Sequence, residues 1–309
     1  MPARPILVTG ANGHLGRRLC QRLAQAAEPR PVRALVRSER AAEQLHALPA
    51  AARPEVSIVD YANVHQLERE AIGCDSAVHL VGILKETRRN RYADAHEGAC
   101  RALADAADAA GLRRVVTLSI LGAHPESPNA CLASRAQAEG ILLEAKTPTV
   151  VIRVPMVLGA GDAASAALLR QAHGPKARLV RGGASLEQPI AAADVVEALV
   201  AALERPGLEG RVLELAGPES LSHRALVERA AALLGTRVEF GSIPAGLAGG
   251  FAWLAELTRA DPPITRAMLG VLEHDDAIDP KPACEALDLA LTPLDEALRQ
   301  ALAEGSGPT

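Results

Sequence analysis

The stretch "VTGANGHLGRRL", Val8 to Leu19, decides how the chain folds. Apolar and β-branched residues run into Gly10, and Gly13 and Gly16 follow at three-residue intervals as a helical pattern begins. Each glycine has its own task. Gly10 permits a tight turn, Gly13 lets an anion such as a pyrophosphate approach the backbone, and Gly16 lets the helix pack close to the strand.

Working outward, short β-branched runs alternate with Ala/Leu-rich stretches. The expected strands are residues 6–10, 32–37, 56–60, 76–82, 115–119 and 149–154. Near-continuous apolar strands joined by helical crossovers predict a parallel sheet covered on both faces. The fold class is therefore α/β, a doubly wound Rossmann-type parallel sheet with a smaller C-terminal substrate lobe. Residues 1–155 are expected to form the dinucleotide-binding domain. Residues 156–303 continue the framework interleaved with the lobe, and 304–309 form a flexible tail. The uncharged segment 241–255, "GSIPAGLAGGFAWLA", is too short and too broken by Pro and Gly to span a membrane, and reads as an apolar pocket wall or as lobe core.

Composition narrows the function. Net charge is −4, so no nucleic-acid-binding face is indicated, and the one dense basic cluster, Lys85 to Tyr92, reads as a solvated helix start. Five scattered cysteines without a CxxC spacing, and scattered histidines without HExxH, argue against a disulfide framework and a metal site. The N-terminus lacks a signal-peptide pattern, which leaves the cytoplasm as the expected location. Aromatic residues make up only 2% of the chain, so Phe251 and Trp253 draw notice as lining for a hydrophobic small molecule.

The Gly-x-x-Gly-x-x-Gly spacing resembles the short-chain dehydrogenase/reductase superfamily in its extended or atypical branches. "AVHLVGILKE", "HEGACRALADAADAAGLRRVVTLSILGA", "VIRVPMVLGAGD" and "QPIAAADVVEAL" are similar to the branch holding the nucleotide-binding accessory subunit of respiratory complex I, with NmrA-like proteins as neighbours. This resemblance covers roughly the first 205 residues. It implies a nicotinamide dinucleotide held by Thr9, Gly10, Asn12, Gly13, His14, Leu15 and Gly16, by Asp60 and Tyr61 near adenine, by Leu80, Val81 and Gly82, and by Arg135, Val154 and Pro155. Met156 borders the expected substrate pocket. At the end of the second strand an acidic residue would favour NAD, but Arg37 and Ser38 stand there. A guanidinium can fork onto a 2′-phosphate, so NADP(H) is favoured over NAD(H).

Active members of the superfamily carry a serine after the fifth strand and Tyr-x-x-x-Lys on the next helix. Ser119 matches the serine, but in "NACLASRAQAE" Cys131 stands at the tyrosine position and Arg135 at the lysine. Asn129 caps this helix. Arginine is no proton relay, and a thiol near a guanidinium is drawn toward the thiolate, a poor acid. Lys85, His124 and Ser119 are the remaining candidate proton sources. Three readings follow: an NADPH-dependent reductase of a hydrophobic carbonyl, enone or quinone-like compound with a non-tyrosine acid; a nucleotide-binding sensor or assembly partner without turnover; and a redox-neutral isomerase, lyase or cyclase.

Overall fold

The computed structural model describes residues 3–303. Strand and helix alternate through β1 (Ile6–Thr9), α1 (His14–Ala24), β2 (Val32–Val36), α2 (Glu39–His46), β3 (Glu55–Ile58), α3 (Val64–Ala71), β4 (Ser76–His79), α4 (Ala99–Ala110), β5 (Arg114–Ile120), α5 (Ala130–Leu143) and β6 (Thr149–Val154). All six expected strands are present. Helix starts are set by local chemistry: side-chain oxygens of Ser38, Asn63 and Asn129 accept from Ala41 N (3.3 Å), Gln66 N (3.2 Å) and Cys131 N (2.9 Å).

Then follow β7 (Val157–Leu158), α6 (Ala163–His173), β8 (Lys176–Val180), β9 (Leu186–Glu187), β10 (Ile190–Ala191), α7 (Ala192–Glu204), β11 (Val212–Glu214), β12 (Leu221–Ser222), α8 (His223–Leu233), β13 (Glu239–Ile243), α9 (Ala245–Thr258), α10 (Arg266–Leu272), α11 (Lys281–Leu287) and α12 (Leu294–Ala303).

Seven parallel strands form one sheet in the order β11-β6-β5-β4-β1-β2-β3. The chain builds outward from β1 to β3, then returns to the other side of β1 to lay down β4. Carboxyl ends of β1 and β4 therefore flank the switch point, where doubly wound sheets bind their ligands. Successive β1 residues point to opposite faces: Leu7 packs with Leu67, Leu103 and Leu142 of α3, α4 and α5, while Ile6 and Val8 pack with α1, α2, α7 and α11. A third core, Leu168, Leu226, Val227, Leu294 and Leu298, holds α6, α8 and α12 together as the lobe. The sheet unit thus recruits α7, β11 and α11 from beyond residue 156, and the expected tail at 304–309 lies outside the described residues.

Two local expectations fail. Lys85 to Arg91 is a loop, closed where Thr87 N donates to Asn90 O at 3.0 Å, and helical structure begins only at Tyr92. Its turn is fixed because the Tyr92 ring is drawn inside and Tyr92 N is taken by the Glu86 carboxylate at 2.9 Å. Segment 241–255 is neither pocket wall nor lobe core. Within α9 only Ala252 and Ala255 are buried, while Phe251 and Trp253 are 61% and 50% exposed. A helix apolar all round can bury only the side that meets the protein.

Candidate active site

Gly10 has φ +71°, and a β-carbon there would meet the Leu80 carbonyl at 3.1 Å, so the turn after β1 closes against the end of β4. At Gly16 the obstacle is Ala11 O, 2.5 Å away, which brings α1 down onto the loop. Gly13 occupies the N-cap of α1 without a side-chain cap, leaving the first-turn N–H groups and the positive end of the helix dipole facing the cleft. His14 Nε2 lies 2.8 Å from Ala160 O and ties this loop to the start of the lobe.

A cavity of about 260 Å³ on the β2 side is lined by Asn12, Gly13, Arg37, Ser38, Tyr61, Leu80, Val81 and Gly82. Arg37 stacks over the Tyr61 ring at 5.9 Å. The Tyr61 hydroxyl donates to Leu35 O (2.7 Å) and accepts from Gly10 N (2.9 Å), so it braces the glycine turn; burial pushes its pKa up to about 12. Asp60 does not line this cavity. Its carboxylate is used locally, accepting from Ala62 N at 3.0 Å.

On the other side of the glycine turn lies a cleft of about 520 Å³, lined among others by Leu15, Leu118, Ser119, Arg135, Val154, Pro155, Met156, Val271 and Leu272. The Ser119 hydroxyl is buried without a hydrogen-bond partner. Arg135 is half-buried at the cleft lining; its Nη1 donates to Val81 O at 3.3 Å, and its buried Nε has no partner. Desolvation lowers its pKa from the ordinary value. Cys131, one turn earlier, is also buried and contacts Ile83 O through Sγ at 3.7 Å. Burial outweighs the Arg135 charge, so the thiol pKa is raised rather than drawn toward the thiolate. Cys131 does not line the cleft.

Two buried histidines, His79 and His96, are not among the expected site residues. His79 binds Thr9 Oγ1 through Nδ1 at 2.7 Å, and burial, aided by Arg135, pushes its pKa down to about 3. His96, delivered by a π-helical turn at Ala93–Gly98, lies 3.1 Å from Ile83 N and is pushed down to about 3 by the same causes. Tyr92 stacks on His96, with its hydroxyl donating to Leu84 O at 2.8 Å and lying against the Cys131 thiol.

More consequential is a pair on the cleft wall. His274 Nδ1 stands 3.1 Å from Asp276 Oδ1, and its Nε2 edge is pressed against Gly122, three residues beyond Ser119. Burial raises Asp276 to about 6, against the opposing pull of His274. No periodicity marks this segment, which the Gly122 contact and the packing of α10 on α5 bring to the end of β5.

Several expected residues lie elsewhere. Lys85 is not at the cleft: its Nζ clasps Asp261 Oδ1 (2.7 Å) and Pro262 O (2.8 Å). His124 is exposed, accepting from Glu126 N at 3.2 Å in its own turn. Phe251 and Trp253 point to solvent, whereas Met156 lines the cleft.

An uncapped helix N-terminus, a glycine cradle that a side chain would fill, and unpartnered polar atoms of Ser119 and Arg135 fit a dinucleotide lying across the switch point. Fold and site together define a Rossmann-type dinucleotide-binding protein. Residues 10–206 match the family described as NAD(P)H-binding. The chain is 34% identical to the 4-hydroxy-2-methyl-3-oxo-4-farnesyl-3,4-dihydroquinoline-1-oxide ketoreductase of Stigmatella aurantiaca, over 84% of this chain and 82% of that protein. It is 29% identical to NADH dehydrogenase [ubiquinone] 1 alpha subcomplex subunit 9 of Arabidopsis thaliana, over 72% of this chain and 56% of that one. Among solved structures, MoeE5 in complex with UDP-glucuronic acid and NAD superposes with a TM-score of 0.74 at 21% identity, over 97% of this chain and 98% of that one, a likeness of fold. The chain belongs to the NAD(P)H-binding family, in the atypical short-chain dehydrogenase/reductase group that its motifs resemble.

Proposed function

We propose that this protein is an NADPH-dependent reductase of an apolar carbonyl compound, with His274 as the proton donor and Ser119 as the group that orients the carbonyl oxygen. The coarser statement, an NAD(P)H-dependent oxidoreductase, rests on the family match and on similarity to a ketoreductase. The observation that carries the finer reading is that the His274–Asp276 pair and the unpartnered Ser119 hydroxyl line one cleft.

A reduced nicotinamide bound across the switch point would supply the hydride that the carbonyl carbon takes up. The glycine turn and the α1 N-terminus would hold the pyrophosphate, and Arg37 with Ser38 would receive the 2′-phosphate. The Ser119 hydroxyl donates to the substrate oxygen. As that oxygen gains charge, His274 gives it a proton, while the Asp276 carboxylate, 3.1 Å from Nδ1, orients the ring. The cleft's aliphatic lining, Leu118, Val154, Met156, Val271 and Leu272, suits an apolar substrate and keeps water from the reacting carbon.

The test is NADPH titration by fluorescence, followed by carbonyl and quinone substrates while cofactor absorbance is recorded. Substrate-dependent oxidation that falls in His274→Gln and Ser119→Ala supports the reading. Tight binding without oxidation across a broad panel overturns it and returns the protein to the role of nucleotide sensor, a reading favoured by the inward-turned Cys131.

A further inference from the structure

Helix α9 leaves its larger face uncovered. At 100° per residue, Ala252 and Ala255 share the inward side, and Leu247, Phe251, Leu254, Leu257 and Trp253 fan over an arc of roughly 160° outside. Each of these five is at least half exposed. The only charge within the helix, Glu256, is held by Arg266 at 2.9 Å. Monomeric proteins rarely leave such a surface to water without a use for it.

The surroundings of α9 are basic although the chain is net −4. Residues 85–91 and 256–266 carry six cations (Lys85, Arg88, Arg89, Arg91, Arg259 and Arg266) against three carboxylates (Glu86, Glu256 and Asp261). The two segments are tied together, because Arg88 N donates to Ala260 O at 3.2 Å and Lys85 holds Asp261. Arg88, Arg91, Arg259 and Arg266 line one groove at the C-terminal end of α9.

We propose that α9 is a monotopic anchor that lies in the plane of an anionic bilayer surface, its aromatic and leucine face among the acyl chains and the arginine cluster among the headgroups. No helix among the described residues is long and apolar enough to cross a membrane, so the contact is interfacial. Charge decides between a bilayer and a second copy of this chain. Two-fold pairing through α9 would bring like arginine clusters toward each other, whereas anionic headgroups neutralise them. Leu84 and Leu272, both partly exposed, line the cleft and sit in the two segments joined to α9, the 84–91 loop and α10. The anchor stands on this surface alone and does not depend on the reading of the chemistry.

The experiment is co-sedimentation of the full chain with phosphatidylcholine vesicles, with and without phosphatidylserine, read together with emission of Trp253, the only tryptophan. The expected result is binding to the anionic vesicles with a blue shift of Trp253. Binding falls about tenfold or more without phosphatidylserine. The double variant Phe251→Asp with Leu254→Asp loses binding while keeping its melting temperature and NADPH affinity, since both side chains already face solvent. Absence of binding to anionic vesicles, binding that survives the double variant, or a dimer in sedimentation equilibrium that the variant dissociates, overturns the proposal.

Discussion

The Arg135 guanidinium lies so close over Gly82 that a β-carbon at residue 82 would fall inside it. The arginine is half-buried and borders the cleft, so a side chain at position 82 must displace its guanidinium from the Val81 carbonyl, and glycine there keeps that contact. Gly82→Ala is therefore expected to lower stability by about 2 kcal/mol, in the range of overpacked cores. Urea denaturation measures it; Gly82→Ala with Arg135→Ala should recover part of the loss, and equal stability of Gly82→Ala and wild type would contradict the contact.

Cys131 is buried and turned away from the cleft. Cys131→Ala should leave kcat within about threefold of wild type, against the 10²–10⁴ typical of a lost general acid. A drop of that larger size would restore the thiol to the chemistry.

His274→Gln should lower kcat by about 10²–10⁴ with NADPH affinity unchanged. Asp276 has its pKa raised to about 6, so the wild-type pH–rate profile should carry an inflection near pH 6. Asp276→Asn should remove that inflection. Matching profiles of the two proteins would dissociate Asp276 from catalysis.

Arg37 faces the cavity where a 2′-phosphate would stand. Arg37→Ala should weaken NADPH about tenfold or more, as the loss of a charge-assisted hydrogen bond does, and NADH by far less. Equal losses for the two nucleotides, seen by calorimetry, would rule out phosphate recognition by this residue.

Acid should unfold the protein through its buried histidines. His79 and His96 are held neutral, with pKa values pushed from 6.5 to about 3. The unfolded chain binds these protons first, so this stability is whole above pH 6.5 and is lost as pH falls toward 3. Between pH 7 and pH 5 each histidine should cost about 2 kcal/mol. His79→Asn should shrink the loss between the two pH values, as measured by denaturant midpoints.

The sheet and the glycine turn were legible because each depends on local pattern. Buried parallel strands read as unbroken apolar runs, and Gly10 and Gly16 are needed for contacts with Leu80 and Ala11, residues of the same βα framework. The cleft was half legible. Ser119 and Met156 follow from their strand ends, but His274 reaches Gly122 from just beyond α10, with most of the C-terminal half of the chain between them and no periodicity to announce it. Hydropathy misled at Phe251 and Trp253, because it measures how apolar a helix is and not which side is covered. At Lys85, charge suggested a helix start, while Tyr92 burial and the Asp261 clasp fixed a loop.

Strand β11 pairs with β6 from Val212↔Val151 to Glu214↔Arg153, yet it is separated from β6 by nearly sixty residues of chain. During synthesis, the outer edge of β6 must wait for that whole stretch to leave the ribosome, roughly 3–12 s at ordinary rates of translation. For that interval the nascent chain carries an unpaired, apolar strand edge, open to a chaperone or to a neighbouring nascent chain on the same message. Release of residues 212–214 ends the exposure, which makes a position about two-thirds along the sequence, and not its N-terminal half, the point at which this protein first becomes safe from its own copies.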